Sequence, residues 1–138
     1  MIWNKEMECA DRETMRALQL KKLKETVRCE YDNVPYYRDK MDKAGVKPED
    51  INTLEDIRKL PFITKEDIAV NYPTGLFAKP MEEIVRIHAS SGTTGKPKIA
   101  GYTRNDLALW GECVARAMAS AGQDSKSVIQ VAYGYGLF

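Results

Sequence analysis

The sequence is poor in the residues that bind metals and form disulfides. It holds three cysteines and one histidine in 138 residues. The spacing of Cys9, Cys29 and Cys113 is too wide for a metal-ligand pattern, and one histidine, His88, cannot complete it. A catalytic triad based on this single histidine is also improbable. An odd number of scattered cysteines is typical of reduced thiols. We therefore expect no protein metal site and a reducing, cytoplasmic location.

Long apolar runs and an excess of one charge are also missing. No stretch approaches the ~20 apolar residues of a membrane span, and the charged segment 5–12 lacks the apolar core of a secretion signal. Charged residues make up 30% of the chain, but the formal net charge is only +1. Tyr36 and Tyr37 lack the basic interleaving of a nucleic-acid stacking surface. We therefore expect no membrane partner and no nucleic-acid partner.

Residues 90–98 form the most informative stretch, with four hydroxyls, two glycines and two lysines. Alternating apolar residues in 84–89 and 99–102 predict strands on either side, so the stretch should be the loop between them. Glycines let the backbone turn its N–H groups inward, and the lysines add positive charge. The sequence therefore predicts a polyphosphate-binding loop. The residues assigned to it are Ser90, Ser91, Gly92, Thr93, Thr94, Gly95, Lys96 and Lys98.

A Walker A loop is the obvious alternative for this stretch, and its spacing is wrong. That motif needs four residues between its glycines, whereas two separate Gly92 and Gly95. Pro97 follows Lys96 where the motif needs a hydroxyl for magnesium, and a predicted strand follows Lys98 where the motif needs a helix. The pattern excludes a P-loop NTPase.

The chain reads as helices followed by the start of an α/β fold. Apolar spacing and capping residues predict a helix over 11–31, a helix over 35–44 ended by Gly45, and two short helices capped by Thr53 and Thr64. An irregular connection covers 71–81.

After the strand–loop–strand unit, Thr103 opens a helix that reaches Gly122, and 127–132 predicts a strand covered on both faces. We expect a helical region, 1–80, and a partial α/β nucleotide-binding subdomain, 81–138. One histidine on a strand predicts a structural role for His88, with a supporting role at the loop still open.

The loop resembles the phosphate-binding signature of the AMP-forming acyl-adenylate synthetases. Four further stretches are similar to the phenylacetate–CoA ligase branch of that superfamily, and together they cover nearly the whole chain. They are 31–38, 60–65, 101–103 and 133–138. The resemblance implies a truncated adenylate-forming α/β domain, ATP with Mg²⁺, coenzyme A as co-substrate and a small aryl acid as substrate.

The aromatic and glycine-rich run 133–138 follows the predicted buried strand. Such a run suits the ligand-facing edge of an α/β sheet, although the residues alone leave open a turn with ordinary aromatic packing. The resemblance favours an aryl-substrate pocket. Its residues would be Tyr133, Gly134, Tyr135, Gly136 and Phe138.

Enzymes of this superfamily are considerably longer, and the resemblance puts their catalytic lysine, hinge and adenine site beyond Phe138. We therefore expect an N-terminal fragment that is inactive as a ligase and exposes apolar sheet surface, which favours self-association or a homodimer. Two alternatives stay open. One is a fragment of another adenylate-forming enzyme, and the other is a non-catalytic nucleotide- or anion-binding module.

Overall fold

The computed structural model describes residues 1–90 and 97–132. In those residues the α-helices are α1 Lys5–Glu8, α2 Arg12–Asn33, α3 Pro35–Lys43, α4 Lys65–Val70 and α5 Arg104–Ser120. Short 3₁₀ helices cover Pro48–Asp50, Leu54–Lys59 and Met81–Glu83. The strands are β1 Arg86–Ala89 and β2 Ile99–Tyr102. The boundary expected between 1–80 and 81–138 stays a prediction.

Local sequence signals explain where α2 and α3 begin and end. The side chain of Asp11 accepts from the Thr14 backbone N–H at 2.7 Å, which caps the start of α2. Pro35 disfavours a helical conformation at Val34, so α2 ends there and Pro35 becomes the first residue of α3. Gly45 follows with φ of 67° and ends α3. Neither α2 nor another helix of the described ranges has the length and apolarity needed to cross a bilayer.

The core lies between α2, α3 and the first 3₁₀ helices. Val27 of α2 and Met41 of α3 pack with Val46 and Ile51, and Ile51 is only 1% exposed. Partly buried side chains close the edge of this cluster. They are Leu23, Tyr31 and Leu60. Burial of these apolar groups supplies most of the free energy that holds the helical part together.

Capping boxes organise the segment that follows the core. The carboxylate of Asp56 accepts from the Thr53 backbone N–H at 2.7 Å, and that of Asp67 accepts from the Thr64 backbone N–H at 2.7 Å. Both helix starts were predicted from these spacings, although residues 54–59 form a 3₁₀ helix. Asp67 also joins α4 to α3, because it accepts from Lys40 Nζ at 2.7 Å and Tyr36 Oη at 2.5 Å.

The strand predicted at 127–132 is wrong for this structure. These residues carry no strand hydrogen bonds, and Val128 is 97% exposed while Val131 is 61% exposed. An apolar run favours a buried strand only when neighbouring strands pair with its backbone and cover its side chains. No other part of the described chain supplies that pairing.

Candidate functional site

The two strands form an antiparallel hairpin, as the sequence predicted. Paired residues are Arg86 with Tyr102, Ile87 with Gly101, His88 with Ala100 and Ala89 with Ile99. This register brings the residue after β1 and the residue before β2 together. The predicted phosphate-binding loop therefore starts and ends at the tip of the hairpin.

Two hydrogen bonds join Ser90 to Lys98 at that tip. The backbone N–H of Ser90 donates to the carbonyl oxygen of Lys98 at 3.0 Å. The backbone N–H of Lys98 donates to Oγ of Ser90, also at 3.0 Å. These bonds extend the contact between the strands by one residue pair.

Ser90 and Lys98 are the last pair of the hairpin among the described residues, and Pro97 precedes Lys98. Because Ser90 and Lys98 form a hydrogen-bonded pair, the backbone nitrogen at position 97 faces away from β1, so a proline fits there without removing a bond between the strands. Ser90 and Lys98 are exposed, and the Lys98 ammonium is therefore accessible to an anion in solvent.

One face of the hairpin packs on α5 through three rings. The imidazole of His88 packs edge-to-face with the rings of Tyr102 and Trp110, and its centroid lies 5.4 and 5.5 Å from theirs. Tyr102 and Trp110 also contact each other at 5.5 Å. Edge contacts of this kind stabilise packing between aromatic rings. This arrangement agrees with the structural role predicted for His88.

The opposite face of the hairpin is held by Phe77. A Cβ atom on Gly101 would lie 2.6 and 2.8 Å from two ring carbons of Phe77 and 3.2 Å from Cγ2 of Ile84. Glycine at position 101 therefore allows the ring to approach the strand. Because Thr103 caps α5 directly after β2, with Asp106 accepting from its backbone N–H at 2.8 Å, the hairpin is also fixed to that helix.

A cleft of about 570 Å³ lies between α2 and the Phe77 side of the hairpin. Its walls include Phe77, Ile84 and Ile99, and Glu30 of α2 adds a carboxylate. Partial burial raises the pKa of Glu30 above its ordinary value. Sequence reasoning missed this cleft because its walls come from segments far apart in the chain, and no local pattern marks it.

Acidic, histidine and cysteine side chains are scattered over the described surface. Within residues 1–90 and 97–132, no group of three or more of them lies close enough to hold a metal ion. The three cysteines are free thiols, with Cys9 and Cys113 exposed.

Most predicted site residues lie outside the described ranges. Of the predicted phosphate-binding set, the structure places Ser90 and Lys98 and brings them together. The other members lie outside the described residues, as does the whole predicted aryl pocket. They are Ser91, Gly92, Thr93, Thr94, Gly95 and Lys96 of the loop, and Tyr133, Gly134, Tyr135, Gly136 and Phe138 of the pocket. Their roles stay predictions.

The curated proteins that are similar in sequence to this chain share one name. The phenylacetate–coenzyme A ligase of Escherichia coli is 54% identical over 132 residues, which are 96% of this chain and 30% of that protein. The enzyme of the same name from Thermus thermophilus is 50% identical over 138 residues, which are 100% of this chain and 31% of the Thermus protein. No family model matches the chain. The chain thus spans about 30% of the length of these curated relatives.

Solved structures with a similar fold are acyl-CoA ligases. 2-Hydroxyisobutyryl-CoA ligase in complex with 2-HIB-AMP and CoA aligns with a TM-score of 0.76 and 28% identity, over 85% of this chain and 26% of that chain. The same ligase in the postadenylation state with R3-HIB-AMP aligns with a TM-score of 0.77 and 26% identity. That alignment covers 88% of this chain and 26% of the ligase chain. The fold prediction is confirmed, because the helices and small sheet match part of this adenylate-forming fold. The resemblance to phenylacetate–CoA ligases, stated from the motifs, is confirmed as well.

Proposed function

We propose that this chain forms the ATP-phosphate-binding part of an AMP-forming phenylacetate–CoA ligase. The observation that carries the proposal is the hairpin closed by Ser90 and Lys98, which brackets a loop of hydroxyls, glycines and lysines. Support also comes from identity of 48–54% to phenylacetate–CoA ligases across nearly the whole chain. Ligase activity is proposed for the intact enzyme, and this chain by itself is expected to be inactive.

The loop would bind the β- and γ-phosphates of ATP. Its backbone N–H groups and hydroxyls are donors for phosphate oxygens, and Lys96 adds a positive charge. Lys98 would add a second charge from the exposed end of β2. Neutralising the pyrophosphate portion makes it a better leaving group, and holding it fixed aligns the α-phosphorus for in-line attack.

The proposed reaction has two steps. An oxygen of the aryl-acid carboxylate attacks the α-phosphorus, the bond to the bridging oxygen breaks, and pyrophosphate leaves with that oxygen. The acyl-adenylate then reacts with the thiolate of coenzyme A, whose sulfur attacks the carbonyl carbon while AMP leaves. Activation is needed because AMP is a far better leaving group than the oxide of a free carboxylate.

Magnesium would accompany ATP and offset phosphate charge, and we assign it no side chain of this chain. ATP and coenzyme A are co-substrates, and the cytoplasm, where both are abundant, is the proposed location. The catalytic lysine, hinge and adenine site would lie outside these 138 residues. We keep the run 133–138 as the proposed aryl pocket, with Tyr135 and Phe138 supplying ring faces.

A second candidate differs only in the acid. The structural neighbours are ligases of 2-hydroxyisobutyrate, as their 2-HIB-AMP complexes indicate, so the same fold serves a non-aromatic acid. The higher identity to phenylacetate–CoA ligases favours the aryl acid. Screening acids by pyrophosphate release from the intact enzyme would separate the two.

Direct binding tests the phosphate-site proposal on this chain. We expect saturable binding of ATP, measured by calorimetry, and a loss of about tenfold or more on Lys96→Ala, since a charge-assisted hydrogen bond would be removed. Gly95→Val should weaken binding through the loop backbone. Lys126→Ala, which removes an exposed lysine outside the loop, is the matched control. Equal affinities for all three variants would contradict the proposed site.

A further inference from the structure

A second cavity, of about 370 Å³, opens between α2, α3 and residues 60–63. Its lining includes Val27 and Met41, which belong to the buried core. Half-buried apolar side chains complete much of its wall. They are Leu23, Leu60, Pro61 and Ile63. We call this cavity the Glu30 pocket, because Glu30 is the one charged side chain that the described residues contribute to its lining.

Two polar groups of the Glu30 pocket lack a partner. The carboxylate of Glu30 and the hydroxyl of Tyr37 are half-buried, and neither forms a hydrogen bond or an ion pair within residues 1–90 and 97–132. Burial raises the pKa of Glu30 above its ordinary value, and burial together with the Glu30 charge raises the pKa of Tyr37. A carboxylate that is partly removed from water without a partner is one that a bound cation would stabilise.

The mouth of the Glu30 pocket carries an aromatic ring with little packing of its own. Phe62 lines the pocket, yet 90% of its surface is exposed. A ring bound in the pocket would cover apolar surface of Phe62 and could contact the ring of Tyr37. The cavity volume lies at the small end of the range for ligand sites, about 300–1,000 Å³. It therefore suits a ligand of one ring with a short polar arm.

We propose that the Glu30 pocket binds a small aromatic amine, with its ammonium group on the Glu30 carboxylate and its ring against Phe62 and Tyr37. The Tyr37 hydroxyl oxygen can accept a second N–H of the same ammonium group. A charge-assisted hydrogen bond favours the amine over an alcohol of the same shape. The negative charge of Glu30 disfavours a carboxylate ligand such as phenylacetate. The proposal therefore does not rest on the proposed function.

Two ligands of matched shape, benzylamine and benzyl alcohol, test the role of charge. Their dissociation constants would be measured by NMR titration of the chain near neutral pH, following the methyl groups of Leu23 and Ile63. We expect benzylamine to bind about tenfold more tightly than benzyl alcohol. Glu30→Gln keeps the shape and removes the charge, so it should weaken benzylamine about tenfold and leave benzyl alcohol unchanged. Glu13→Gln, an exposed position of the same helix, should change neither affinity.

A variant at the mouth tests the apolar contact separately. Phe62→Ala removes an exposed ring and should leave the fold intact. We expect it to weaken benzylamine and benzyl alcohol by a similar factor, about threefold to tenfold, because both ligands carry the same ring. Because this variant leaves the carboxylate in place, it tests the pocket even if Glu30→Gln fails to fold.

Several outcomes would overturn the proposal. Equal affinities of the wild-type chain for the two ligands, or unchanged benzylamine binding in Glu30→Gln, would show that the carboxylate selects no cation. Competition of phenylacetate with benzylamine would contradict the charge preference. A second copy of the chain is the competing occupant. If benzylamine does not bind and Phe62→Ala instead reduces self-association in sedimentation velocity, the pocket is a protein contact. Loss of benzylamine binding in the whole product of the encoding gene would assign the pocket to another segment of that product.

Discussion

The ring of Phe77 occupies the space that a side chain on Gly101 would need. Its Cε2 and Cζ atoms lie 2.6 and 2.8 Å from the position of a Cβ atom on that glycine. Contacts this short force the ring or the strand to move. Because Lys98 directly precedes β2, this packing also helps to place the Lys98 end of the proposed phosphate-binding loop.

Gly101→Ala should destabilise the chain by about 1–3 kcal/mol, the usual cost of overpacking. Urea denaturation would measure the free energy of unfolding. Gly111→Ala is the matched control, because nothing lies within 4 Å of a Cβ there and the residue is inside α5. That variant should be stabilised by up to ~1 kcal/mol, from helix propensity. Equal effects at the two glycines would contradict the role of Phe77.

A double variant isolates the contact itself. Phe77→Ala removes the ring, so Gly101→Ala should cost much less when Phe77 is already alanine. We expect a coupling free energy of about 0.5–3 kcal/mol between the two positions. Additive effects would show that the cost of Gly101→Ala arises from the backbone and not from the ring.

We predict that, among the charged groups of the helical part, the carboxylate of Asp67 contributes most to the free energy of unfolding. It accepts from Lys40 Nζ, from Tyr36 Oη and from the Thr64 backbone N–H, and it is largely buried, with 14% of the side chain exposed. Asp67→Asn should therefore lower the free energy of unfolding clearly. Asp39→Asn should have little effect, because the pair of Asp39 with Lys43 is exposed. Similar losses for both variants would contradict this account.

The same carboxylate predicts a pH dependence. Lys40, then Tyr36 and the Thr64 N–H, lower the pKa of Asp67 below its ordinary value of 3.8. A lowered pKa in the folded state gives stability that is fully present above 3.8 and is lost as the pH falls toward the lowered value. The stability difference between wild type and Asp67→Asn should be constant from about pH 7 to 5 and shrink below about pH 4. Urea titrations at each pH would measure it.

Features encoded by neighbouring residues could be predicted from the sequence. The capping boxes at Thr53, Thr64 and Thr103 depend on side chains three positions apart, and the turn at Pro35 depends on one backbone dihedral. The two strands on either side of 90–98 were also predictable, because alternation of apolar residues is a local signal. These features determine most helix boundaries of the described chain.

Features that depend on distant partners were not predictable. The apolar run 127–132 has the composition of a buried strand, but pairing decides whether a strand forms, and no described segment pairs with it. The bond between Ser90 and Lys98 depends on strand register, which spacing alone does not fix. The contact of Phe77 with Gly101 joins residues 24 positions apart, so no local sequence pattern indicates it.

The exposed segment 127–132 predicts concentration-dependent self-association of the chain. Val128 and Val131 are 97% and 61% exposed, and an unpaired apolar segment can add to a second copy. Val128→Ser combined with Val131→Ser should reduce association in sedimentation velocity. Val70→Ser removes another valine, 73% exposed at the end of α4, and should have little effect. A wild-type chain that stays monomeric across the concentration series would contradict the prediction.

The central proposal is that this chain forms the ATP-phosphate-binding part of an aryl-acid CoA ligase. The most direct measurement is release of pyrophosphate from ATP by the whole product of the gene that encodes the chain, with and without phenylacetate. We predict release that requires phenylacetate and, when coenzyme A is added, formation of AMP and a thioester in equal amounts. Release that is indifferent to every aryl acid tested, or no release from a stable, ATP-binding gene product, would contradict the account.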